Sequence, residues 1–149
     1  MQWADVPNVG FSTASPNSLV RPIVSEGRFD YRRVDAAARR DRDGSLMDDL
    51  QRLVRTRQAC HEVGWGACRI LDTAEPRVLA VRYDWRGGTV LTVGKLDDRT
   101  LEVEVPIAGV ERLRPLFGNR DDQDMRNAAD PTGLDPYGFW WFRGRGERR

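Results

Sequence analysis

The hydrophobic period of this chain changes at Gly66, and that change limits what it can fold into. Just ahead of it, Ser45 to Gly66 reads SLMDDLQRLVRTRQACHEVGWG, the one long helical pattern in the sequence. Leu46, Leu50, Leu53, Val54 and the aliphatic stem of Arg57 share one face, as apolar residues three and four apart do on a helix. Ser45 and Asp48 fit an S-x-x-D capping box, in which the hydroxyl meets an orphan N–H and the carboxylate reaches back. Asp48 and Arg52 are spaced as an i,i+4 pair. Acidic residues come early and basic ones late, which suits the helix dipole. The pattern predicts a helix over about 45–62, closed by Gly64 and Gly66.

After Gly66 the period becomes two. Ala67–Leu71 reads as a first short strand, and Val78–Tyr83 and Thr89–Val93 as a hairpin turning at Arg86-Gly87-Gly88. Leu101, Val103 and Val105 alternate with Glu102 and Glu104, which predicts a strand with one buried face. Val110–Leu116 offers another strand, interrupted by Pro115. Asn119–Pro136 reads as a polar, acidic loop and Tyr137–Phe142 as an aromatic last strand, with a frayed charged tail after it. Short strands at this spacing suggest a small antiparallel sandwich. Before the helix, Met1 to Arg28 has neither period and is punctuated by Pro7, Gly10, Pro16, Pro22 and Gly27. Val34–Arg40 reads as a short helix with Asp35 at its start.

Composition narrows the function. The net charge is +1, so no basic footprint points to nucleic acid and no acidic one to a basic partner. No apolar run approaches the ~20 residues of a membrane helix, and the N-terminus lacks a signal-peptide layout. With Cys60 and Cys68 alone there is no disulfide framework, and the expected location is the cytoplasm. No metal site and no cofactor are expected: Cys60, His61 and Cys68 lack the spacing of a structural zinc site. Asp121, Asp122 and Asp124 lack the glycine and glutamate of a calcium loop. A Cys60–His61 catalytic pair is disfavoured because sequence neighbours on a helix diverge. Glu102 and Glu104 lie on the solvent face of a strand rather than across a cleft. Trp65, Trp85, Trp140 and Trp141 either stack on sugar rings or pack in the core. The residues alone assemble no catalytic constellation.

Four stretches together resemble the C-terminal end of the α-amylase superfamily of glycoside hydrolases, the trehalose synthases above all. Met1-Gln2-Trp3-Ala4-Asp5 with Pro7-Asn8 and Gly10-Phe11 is similar to the family segment P-M-Q-W-x-D-x-P-N-x-G-F. Leu53–Arg57 with Glu62-Val63-Gly64-Trp65-Gly66 resembles R-L-x-R-x-R-K-x-x-P-E-I-G-W-G, the last barrel helix and its exit. Val78–Arg86 resembles V-L-A-L-R-Y-D-W-R, and Tyr137–Phe142 the closing strand Y-G-Y-R-W-Y/F. His61 departs from the family's proline, and Gly94-Lys95-Leu96 from its H/N-N-L/F.

The resemblance implies an α+β, mainly β chain: an antiparallel β-sandwich preceded by one long helix and a loop-rich remnant of a (β/α)8 barrel. Residues 1–66 would be the end of the barrel, 67–143 the sandwich, and 144–149 a disordered tail. It implies a parent enzyme that isomerises maltose to trehalose by retaining glucosyl transfer. Its catalytic carboxylates would lie upstream of Met1, which coincides with the methionine inside the family motif, as a start assigned internally or a truncated gene would produce. Gln2 and Trp3 would be substrate-proximal, no residue here would be catalytic, and the chain alone would be inactive. The partners implied are a catalytic barrel chain or a sugar such as maltose. A stand-alone sugar-binding module and a docking subunit for a separately encoded barrel are the alternatives. Part of the helix face Leu46–Val54 would then be left as an exposed apolar patch.

Overall fold

The structure, a computed structural model, describes residues 2–40, 42–118 and 132–146. The acidic run Asp121, Asp122 and Asp124 lies outside the described residues, as do 119–131 of the expected loop and 147–149 of the tail. The chain forms two compact units, Met1–Val54 and Arg55–Arg149.

The first unit is built of short pieces. Three 3₁₀ turns, Pro7–Gly10, Pro16–Ser18 and Gly27–Phe29, follow the Pro and Gly punctuation. Helix α1 spans Ala36–Arg40, and its start is capped by Asp35, whose Oδ1 accepts the Ala38 N–H at 2.8 Å. Helix α2 spans Leu46–Ala59. Ser45 caps it: its Oγ accepts the Asp48 N–H at 3.2 Å and donates to the Arg39 carbonyl at 2.7 Å. The return half of the expected box is replaced, because the Ser45 N–H donates to the Arg42 carbonyl at 3.1 Å. Arg52 reaches Asp49, one turn back, at 4.0 Å.

The long helix does not run to Gly64 as one rod. Cys60, at φ −96° and ψ 88°, breaks it, and a separate turn of helix, α3, covers His61–Trp65. Gly64 therefore sits inside a helix, and the chain leaves at Gly66 in extended conformation. Glycine is required at 66 for space. A Cβ there would meet the Glu62 carbonyl oxygen and come within 2.8 Å of that of Asp84.

The second unit carries the sheets. Strands β1 (Ala67–Leu71), β2 (Val78–Trp85), β3 (Gly88–Lys95), β7 (Phe139–Gly146) and β5 (Val110–Gly118) form one antiparallel sheet in that spatial order. Strands β4 (Leu101–Val103) and β6 (Thr132–Leu134) pair separately. The β2–β3 hairpin turns on Arg86 and Gly87, at φ 48° and 77°, with Trp85 opposite Gly88. That is the two-residue left-handed turn that matches strand twist. Pro115 is tolerated because β5 is an edge strand and its register shifts beside the proline.

Register puts Val78, Ala80, Leu91, Val93, Trp140 and Phe142 on one face of the large sheet. They pack with Leu113, with Val103 and Leu134 from the small pair and with Val105 just beyond β4 into one buried core. The alternation of Val103 and Val105 against exposed Glu102 and Glu104 is as expected. Two expectations are corrected. Thr132–Leu134, within the stretch read as loop, is strand β6. Arg143–Gly146, read as frayed tail, completes β7, because β3 and β5 hydrogen-bond it from both sides.

Candidate functional site

Gln2 and Trp3 lie in a tight knot at the start of the chain. The Trp3 N–H donates to the Val9 carbonyl at 2.9 Å, and the Val9 N–H to that of Val6 at 2.9 Å. Closing so short a loop forces Asn8 and Val9 to φ 53° each, a region that costs a β-branched residue most. The Asn8 amide supports it from within, donating to the carbonyls of Ser12 at 2.9 Å and Ala14 at 2.6 Å. Its Oδ1 is buried and finds no partner among the described residues.

Gln2 is engaged structurally. Its Nε2 donates to the carbonyls of Phe29 at 2.9 Å and Val24 at 3.3 Å, tying the 24–29 loop to the knot. The Gln2 and Trp3 carbonyls accept the N–H groups of Ala36 at 3.0 Å and Ala37 at 2.8 Å, satisfying donors at the start of α1. Trp3 is 44% exposed. The fold thus brings Gln2, Trp3 and the start of α1 together.

A second cluster was not anticipated from the sequence. Glu62, on α3, is buried, and Arg143, on β7, donates Nε to its Oε1 at 3.0 Å and Nη2 to its Oε2 at 2.7 Å. Arg143 also donates to the Ala59 carbonyl at 3.2 Å, covering an orphan acceptor at the end of α2. Burial pushes the Glu62 carboxyl up. The Arg143 hydrogen bonds, the residue's own backbone and the Arg143 charge outweigh it, so Glu62 is held below its ordinary value. The paired side chains stand 81 positions apart, which is why no local pattern reveals them.

The other perturbed carboxylates behave alike. Asp30 is lowered first by hydrogen bonds from Arg32. Glu75 is pushed down to about 2 by Arg77. Asp97 is lowered by the Arg99 backbone and by Arg77. These carboxylates are locked to arginines, unlike a glycosidase-type general acid, whose carboxyl is raised and close to a second one.

Cys60 and His61 diverge. Cys60 is 2% exposed and burial pushes its thiol up, the reverse of an activated nucleophile. His61 is exposed and stacks on Trp85 at 5.8 Å. Cys68 is exposed. A colorimetric thiol reagent is therefore expected to label one thiol at once and the second only on unfolding. Rapid loss of both thiols in the native chain would contradict the burial of Cys60.

The tryptophans divide. Trp140 is core at 3% exposure. Trp85 is half-buried, with His61 stacked on it and the Arg86 guanidinium 4.7 Å from its ring centre. Trp65 stands 76% exposed. Among the described residues no group of three or more His, Cys, Asp or Glu side chains converges, and no helix is long and apolar enough to cross a membrane.

No family model matches the chain. Its sequence is similar to the trehalose synthase of Thermus thermophilus, 31% identical over 145 residues, 95% of this chain and 15% of that protein. It is also similar to the trehalose synthase/amylase TreS of Mycobacterium tuberculosis (strain ATCC 25618 / H37Rv), 30% identical over 149 residues, 96% of this chain and 25% of that protein. The chain thus spans about a quarter or less of the length of these curated relatives. The fold is shared with a MutB variant crystallised with sucrose, at a TM-score of 0.75 and 21% identity, over 97% of this chain and 24% of that one. It is shared likewise with a trehalose-6-phosphate hydrolase from Bacillus licheniformis, at a TM-score of 0.74 and 16% identity, over 97% and 25%.

Proposed function

We propose, from the homology of this chain to a segment of the trehalose synthases along nearly its whole length, that it is the structural C-terminal part of an α-glucosyl-transferring enzyme. On this reading residues 1–66 correspond to the end of the catalytic barrel and 67–143 to the β-domain that comes after it. Gln2 and Trp3 would face the sugar only when the rest of the barrel surrounds them. The chain alone carries out no glucosyl transfer.

The observation that carries the inactivity is electrostatic. Retaining transfer needs one carboxyl as nucleophile and another kept protonated as acid, roughly 5 Å apart. Here the perturbed carboxylates are held ionised by Arg32, Arg77 and Arg143. Purified protein incubated with maltose is expected to release neither trehalose nor glucose above a buffer control. Turnover that copurifies with the chain and disappears on substituting a carboxylate in it would overturn the reading.

The exposed ring of Trp65 favours a second reading, a sugar-binding module. A sugar platform needs more than one free aromatic face. Trp140 is buried, and Trp85 already carries His61 and Arg86. The structural reading therefore stands ahead of it.

A further inference from the structure

We draw no further inference here: the strongest candidate, the groove beside the edge strand β1 lined by Ile70, Leu71, Pro76 and Val78, carries none, since nothing among the described residues shows what covers it.

Discussion

Replacing Lys95 by methionine is expected to raise the melting temperature of the β-unit by on the order of 5–15 °C. Lys95 ends β3 on the inner face, opposite Val78 in register. It is 2% exposed, and its Nζ finds no hydrogen-bond partner among the described residues. A buried polar group without a partner costs ~1–3 kcal/mol. Methionine keeps the unbranched length and removes that cost. For a unit of this size each kcal/mol moves the midpoint by about 4–8 °C. A variant that melts at or below the wild-type temperature would show that Lys95 is satisfied in solution, and Lys95→Ala separates packing from polarity by leaving a cavity.

The second large effect is at Glu62. Glu62→Ala leaves the Arg143 guanidinium beside a void, under the weight of α3. Breaking a fully buried ion pair costs ~3–5 kcal/mol. Arg143 is 38% exposed, so water recovers part of the loss, and about 2–3 kcal/mol is expected by denaturant titration. The folded-state value of Glu62 is lowered. Its contribution is therefore present above the unfolded carboxyl value, near ~4.5, and fades as pH falls through the lower folded value. Glu75, pushed down to about 2 by Arg77, adds a contribution of the same sign, lost between that value and the unfolded one. Glu62→Gln is accordingly expected to narrow its deficit against wild type as pH is lowered from 6 to 3. A deficit constant across that range would mean that the charge on Glu62 does not matter.

Much of the fold is legible in the sequence, for local reasons. Period-two patterning and a glycine turn specify the β2–β3 hairpin without help from the rest of the chain. The alternation at Val103 and Val105 gives the buried face of β4 and of the two residues beyond its end. Local pattern fails where pairing is decided at a distance. Thr132-Gly133-Leu134 is too short, and too poor in β-formers, to signal a strand; its partner Leu101–Val103 makes it one. Arg143–Gly146 reads as solvent-loving tail but is held between two strands. The break at Cys60 falls inside an unbroken helical pattern, because docking of Glu62 onto Arg143, rather than helix propensity, sets the direction of α3. At the candidate site, Gln2 and Trp3 are visible only through resemblance to a family motif, while the left-handed pair Asn8-Val9 has no signature beyond the proline and glycine around it.

The sheet order has a bearing on how the molecule is made. β7 is made after the six other described strands, yet it lies between β3 and β5. Until it arrives, β3 has a free flank and β5 has no neighbour in the large sheet, so two sets of backbone donors and acceptors wait for the same late segment. Trp140 and Phe142, two of the core's aromatic side chains, travel with it, and so does Arg143, the partner of Glu62. Core, sheet and helix can therefore close only once β7 has been made, and a chain cut short ahead of it would lose the keystone of the sheet.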